Sequence, residues 1–436
     1  MKDKNLLIVP ILTLMIGVVS IYGYKTLREN NYNIKQVITD GIQDLQTLQI
    51  GSTSTENFYA VNPISYEVNI NNSVKTLSGY LSLSTREEKL LYQSILDNAD
   101  KITDEMSGQN LYRIEPMSVK NHSLDANQIK KVLYAVKNDH PEIFWFSNSF
   151  GYASGKSGTV LKLNSTFPKN EQKIALDELN KKVFNIISQI PENFSDYERE
   201  LFIHDYLVDN CTYEKNDNNP NIFTAYSCLI SGKAVCEGYA KAAQLLLCAA
   251  GIDCRPVVGA RGAEEHMWNV VKIGNSWYHI DVTWDSKDEL NKYNYFNLTD
   301  SVIKKDHCIA ASIDNNPDYY KEKNYNFSLP KCDSKDANYF EKNAVKILNE
   351  NNLTDNSIPN KIIDLKKHNK SVLYIHISEN LEFENTKNVL LKDNSKLIFE
   401  HIKSANSQLN SNEKFSTSQI KYSVAENSRI LAVQLM

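Results

Sequence analysis

Three residues of this chain have the types and the setting for thiol catalysis: Cys236, His266 and Asp281. Cys236 follows a turn signal at Gly232 and Lys233 and opens a run of strong helix formers that reaches Ala250. Gly251 is a natural C-terminal stop. The spacing predicts a helix with Cys236 at its N-terminus. That position favours the thiolate, the reactive form, through exposed backbone N–H groups and the helix dipole. Gly238 in the first turn costs roughly 1 kcal/mol relative to Ala; open access to the sulfur is the expected return. Most cysteines in Ala/Leu-rich helices are simply buried, which is the reading for Cys248. Partners set Cys236 apart.

Those partners lie in HMWNVVKIGNSWYHIDVTWD, residues 266–285. Gly274–Asn275 between two apolar runs signals a two-residue type II′ hairpin. In that register Ile273 opposes Ser276, Trp268 opposes Asp281, and His266 opposes Thr283. Opposed and alternate residues share a sheet face, so His266 and Asp281 are diagonal neighbours on one face. A one-residue slip would separate them. Thiol chemistry needs this set: a His takes the thiol proton and returns it to the leaving group, and a carboxylate holds the His tautomer. Trp268, on the same face, is expected to shield that hydrogen bond from water, beside a plain core role. His279 shares the face further along and reads as a packed or surface histidine. Without the upstream helix, the pair could be a structural His–Asp contact. A metal site on Cys236, His266 and Asp281 is the other chemical use of these side chains.

The elements that must position these residues are legible nearby. DCRPVVGA (253–260) reads as the strand between helix and hairpin. Upstream, Ser195 with Glu198 forms a capping box that opens RELFIHDYLVDN. His204 falls on the apolar stripe of that helix, as a satisfied core histidine does. Helical signals dominate 61–190. Ser84 with Glu87 or Thr85 with Glu88 caps KLLYQSIL, and Asp125 caps ANQIKKVLYAVKN, which must stop near His140 because Pro141 follows. EIFWF reads as a strand and 150–163 as a hairpin around SGKSG; 172–190 returns to helix. Beyond about 325 the chain is polar and less patterned. There 336–350 reads as helix, and SVLYIHI, KLIFEHI, QIKYSVA and RILAVQL read as strands, giving a small α+β tail without a recognisable site.

The 436 residues carry 48 basic and 53 acidic side chains, a net charge of −5. No basic patch calls for nucleic acid. Lys2 and Lys4 precede the uncharged stretch 6–24, which at about 1.5 Å per residue reaches roughly 28 Å, close to a bilayer core. Its end lacks a small-x-small cleavage pattern. It reads as a single-pass signal anchor, with a cleaved signal peptide as the alternative; both leave the remaining chain outside the cytoplasm. The seven cysteines contain no C-x-x-C pair, so neither a zinc knuckle nor a thioredoxin-type motif is supported. If Cys236 is catalytic, six remain for possible bridges. The expected divisions are 1–30 (anchor or signal), 31–190 (helix-rich), 191–325 (catalytic) and 326–436 (small α+β).

VCEGYAKAAQLLLCAAGI, HMWNVV and WYHIDVTWD, in that order, resemble the transglutaminase-like, papain-related superfamily, particularly its bacterial cell-surface members. The likeness covers about 195–300, and DHPEIFWF and IHDYLVDNCTYE upstream share it. The resemblance implies an α+β fold: a helix bearing Cys236 packed on an antiparallel sheet bearing His266 and Asp281. It implies attack by Cys236 on a carboxamide or peptide carbonyl, giving a thioester. Water as acceptor makes a peptidase or amidase; an amine makes a transglutaminase. An oxyanion hole is implied too, with the Cys236 backbone N–H as one donor and the Tyr226 hydroxyl as a candidate second. No dense acidic loop suggests calcium, so neither metal nor cofactor is expected. The expected partners are a protein or peptide substrate and, through the N-terminal helix, a membrane. A silent surface-binding scaffold on the same fold is the rival reading.

Overall fold

The computed structural model describes residues 77–108, 110–215, 219–262, 264–285, 287–309, 329–392 and 396–436. The membrane-anchor stretch lies outside them. Among the described residues no helix is long and apolar enough to cross a membrane. The chain divides into two compact units: one runs to Val270 and takes in His307–Pro330, the other holds Val271–Asp306 and Lys331–Met436.

The first unit begins with α1 (Ser78–Ser82) and α2 (Arg86–Asn98). Thr85 and Glu88 form the reciprocal cap of α2, so of the two registers read from sequence the second is used. Strands β1 (Ile102–Gly108), β2 (Leu111–Ile114) and β3 (Met117–Lys120) precede α3 (Ala126–Asp139), which Asp125 caps. Strands β4 (Phe146–Gly155) and β5 (Gly158–Ser165) form the expected hairpin. Together these strands build a sheet ordered β1-β2-β5-β3, with β4 also paired to β5. The region read as helix-rich thus also carries an antiparallel sheet, whose first strands are too short and polar to show a clear period of two. EIFWF is not a strand: Trp145 is fully buried, its indole N–H donates to the Ala99 carbonyl at 2.7 Å, and pairing starts only at Phe146.

Helix α4 (Lys169–Ile187) leads to α5 (Asp196–Asn210), which has the Ser195–Glu198 capping box. Two short strands, β6 (Thr212–Tyr213) and β7 (Lys233–Ala234), flank a π-helical turn at Ser227–Ser231. Then come α6 (Cys236–Ala249), β8 (Cys254–Arg261) and β9 (Glu264–Ile273). After β10 (Ser276–Ile280) and α7 (Asp300–Ile303), β11 (His307–Ile309) pairs antiparallel with β8, giving the sheet order β10-β9-β8-β11. The Cys-bearing helix and the following antiparallel strands are as expected.

The second unit's tail holds α8 (Tyr339–Asn343), β12 (Val345–Ile347), α9 (Ser357–Lys367), β13 (Val372–Ile377), α10 (Phe383–Leu391), α11 (Leu397–Asn406), β14 (Ile420–Ala425) and β15 (Ile430–Leu435). Its sheet runs β12-β13-β15-β14. Two sequence expectations fail here. KLIFEHI is helix, not strand: Ile398, Ile402 and Ala405 recur at helical spacing and are fully buried in the tail core. The expected helix over 336–350 stops at Asn343, because Val345–Ile347 pairs in parallel with β13. Short apolar runs do not distinguish these states. Within this unit Tyr293 stacks on Tyr339 at 3.7 Å, and the Tyr374 hydroxyl donates to the Glu289 carbonyl at 2.6 Å. These contacts join the segment after the hairpin to the tail.

Candidate active site

Cys236 is the first residue of α6, and no side chain caps that helix. The amides of an α-helix's first turn have no intrahelical partner, so they are available to an anion. Cys236 is only 2 % exposed and packs with Tyr134, Ile222, Val235, Ala240 and Met267. Gly238 has a different use from the one its position suggests. A Cβ there would lie 2.7 Å from the Ala234 Cβ, 2.9 Å from the Ile222 carbonyl oxygen and 3.0 Å from that of Thr224. The first turn of α6 is thus pressed onto the preceding backbone, and glycine is required by that approach.

His266 lies near the start of β9, 4 % exposed. Its ring stacks on Trp268, with centroids 5.8 Å apart and planes at 14°. Trp268 therefore covers one face of the imidazole, as its place two residues along the strand requires. Residues of the opposite strand face hold the Cys-bearing helix. Met267 joins the cluster around Cys236, and the buried Asn269 amide donates to the Ala240 carbonyl at 3.0 Å. The helix and the strand are thereby fixed together within the first unit.

Sequence reading left the role of His307 open. It opens β11, is 1 % exposed, and lies 5.4 Å from His266 and 5.1 Å from Trp268, centroid to centroid. It is 41 positions beyond His266 in the chain, and only the β11–β8 pairing brings it here. Gly259 of β8 admits this packing: a Cβ there would be 2.0 Å from the Cys308 carbonyl oxygen and 2.8 Å from the Trp268 ring.

Asp281 belongs to the second unit. The hairpin turn is as expected, with strands ending at Ile273 and resuming at Ser276, and Gly274 at φ +59°. Strand β10 ends one residue before Asp281, so Thr283 is not a strand residue opposite His266. The Asp281 carboxylate accepts the Thr283 N–H at 3.1 Å, and its own N–H donates to the Tyr295 carbonyl at 3.1 Å. A turn held by this aspartate replaces the extended continuation. Asp281 itself is 1 % exposed. Trp284, three residues on, is 41 % exposed.

Tyr226 immediately precedes the π-helical turn. Its ring stacks on Phe144 at 4.6 Å, and its hydroxyl donates to Glu178 Oε2 at 2.8 Å. Burial first, then the Glu178 carboxylate, pushes its phenol up to about 12. Its proton is committed to a carboxylate in this arrangement. Two further groups were not singled out from sequence: Glu237, next to Cys236, pairs with Lys241 one turn on, and Lys137 is pushed down to about 8 by burial, with the Lys241 charge adding to the effect. A lysine on a mostly apolar stripe gives no sequence signal of this. His204 is fully enclosed on its helix, as its stripe predicts, with Nδ1 3.0 Å from Asp205 Oδ1. Among the described residues no disulfide is formed.

Cys236 thus begins a helix that packs on the strand carrying His266. Residues 187–282 match the transglutaminase-like superfamily, and the chain carries a domain of that superfamily over this segment. Among solved structures it is similar to a candidate cysteine protease from Cytophaga hutchinsonii, at 16% identity and TM-score 0.22, over 30% of this chain and 55% of the other. It is also similar to a TGase, at 18% identity and TM-score 0.23, over 39% of this chain and 51% of the other. The matches span about half the length of those two chains. Among curated proteins none matches.

Proposed function

We propose that this protein is a cysteine acyl-transfer enzyme acting on protein or peptide amides, with Cys236 as nucleophile, His266 as base and acid, and Asp281 as the group that orients His266. The observation that carries this reading is the place of Cys236 as first residue of α6, in a helix packed on β9, the strand that bears His266. The chain order Cys, His, Asp and the place of Asp281 directly after β10 support its assignment.

In the first step His266 takes the thiol proton and the thiolate attacks the amide carbon. The carbonyl oxygen becomes an oxyanion, for which the first amides of α6 are the nearest backbone donors to the sulfur's own residue. The imidazolium then gives its proton to the leaving amine, and a thioester remains. Water or a second amine, deprotonated by His266, releases the acyl group. Trp268 over the imidazole face limits water around this exchange.

The uncharged stretch 6–24 supports an anchored, extracytoplasmic enzyme facing the cell envelope. Incubation with glutamine-containing protein, with and without a labelled primary amine, tests the activity. Amine incorporation or amide cleavage lost in Cys236→Ala supports the reading; equal product from both proteins contradicts it. The enclosure of Cys236 favours one second reading, a surface scaffold whose thiol no substrate reaches. In that case Cys236→Ala leaves the protein's surface-binding phenotype intact.

A further inference from the structure

The second unit holds another grouping of reactive side chains, one of which, His279, lies two residues before Asp281. One ligand atom each from His279, Asp300 and Cys332 lie within 4.8 Å of one another. His279 Nε2 is 2.9 Å from Asp300 Oδ1. Asp300 and Cys332 are tied by their backbones as well: the Asp300 N–H donates to the Cys332 carbonyl at 2.7 Å, and the Cys332 N–H donates to Asp300 Oδ2 at 3.3 Å. His279 is fixed in turn by paired backbone hydrogen bonds with Leu298, both 2.8 Å.

Cys332 is 0 % exposed, and burial, then the Asp300 carboxylate, pushes its thiol up to about 12, away from the thiolate that a nucleophile needs. A small cation is different, because the Asp300 side chain is 28 % exposed and opens the group to solvent. We propose that His279 Nε2, Asp300 Oδ1 and Cys332 Sγ bind a zinc ion, with water in the fourth position.

The donor set argues for this ion. Nitrogen, carboxylate oxygen and thiolate together suit a borderline divalent cation and are poor for calcium or magnesium. Zinc–ligand bonds of about 2.0–2.3 Å imply tetrahedral edges of roughly 3.3–3.6 Å. The 2.9 Å His279–Asp300 separation must widen slightly to reach such an edge. Oδ2 of Asp300 keeps its Cys332 N–H bond, which leaves Oδ1 to the metal and orients it. On binding, the thiol proton leaves to solvent and His279 carries its proton on Nδ1. Lys304, 3.7 Å from Asp300 Oδ1 and 48 % exposed, is a displaceable competitor. The ion would pin the Cys332 segment to β10 and the start of α7. This inference does not rest on the proposed activity, and it departs from the sequence expectation of no metal.

The test uses the full chain carrying Cys236→Ala, which removes the thiol of the proposed triad; five further cysteines remain besides Cys332, so each reading is set against Cys332→Ser in the same background. Cobalt(II) titration reads the thiolate charge-transfer band, and a chromophoric chelator reads zinc affinity. One equivalent is expected, with the band absent in Cys332→Ser and zinc affinity reduced about tenfold or more in His279→Gln. Should those variants fail to fold, Lys304→Gln decides. It alters only an exposed side chain and should tighten zinc about threefold by removing a competing charge. No stoichiometric binding, a cobalt band that survives Cys332→Ser, or an affinity unchanged in Lys304→Gln would overturn the assignment.

Discussion

Asn269 in β9 donates a buried hydrogen bond to the Ala240 carbonyl, in the second turn of the helix that Cys236 begins. This bond sets the depth of the helix against the strand that carries His266. Replacing Asn269 by Ala leaves the Ala240 carbonyl without that donor, at a cost of about 1–3 kcal/mol. Chemical denaturation should show that loss, and site-resolved alkylation should show slower labelling of Cys236. Unchanged labelling at equal stability would remove Asn269 from the positioning argument.

Gly238 offers a second test of the same packing. Ala is ordinarily the better helix former by roughly 1 kcal/mol. Here its Cβ meets two backbone carbonyls and Ala234, so Gly238→Ala should destabilise instead, by about 1–3 kcal/mol as overpacking does. The sign is the informative part: a stabilised variant would mean the first turn of α6 stands off from the preceding backbone.

Lys137 gives a pH signature. Burial and the neighbouring Lys241 charge hold its amine at about 8, below the ordinary value of about 10.4. Between those values the unfolded chain binds more protons than the folded one, so this group makes stability rise with pH across that window. At pH 7 the folded protein carries the full cost of the charged amine. The stability gained by Lys137→Met should therefore be largest near pH 7 and shrink towards pH 10.5. Melting temperatures of the two proteins, measured in parallel across that range, check it; a constant difference would contradict it.

Much of the site was legible because it rests on short-range signals. The helix beginning at Cys236 follows from its composition and Gly251, and the turn at Gly274–Asn275 follows from two residues. Capping boxes at Thr85, Asp125 and Ser195 stand where polar-to-apolar changes put them. The missing parts depend on tertiary pairing. His307 reaches His266 only through the β11–β8 ladder, and Asp281 leaves the strand because its own carboxylate organises a turn. The helix at Leu397–Asn406 is decided by burial of Ile398, Ile402 and Ala405 in the tail core. Its β-branched, aromatic composition pointed the other way.

The central claim is that Cys236 and His266 work as a pair. The most direct measurement is the rate of iodoacetamide labelling at Cys236 at neutral pH, read peptide by peptide, in the wild type and in His266→Ala. Fast labelling of Cys236 is expected in the wild type despite its enclosure, with a loss of about tenfold or more without the histidine. Equal rates in the two proteins would contradict it and bring the scaffold reading forward.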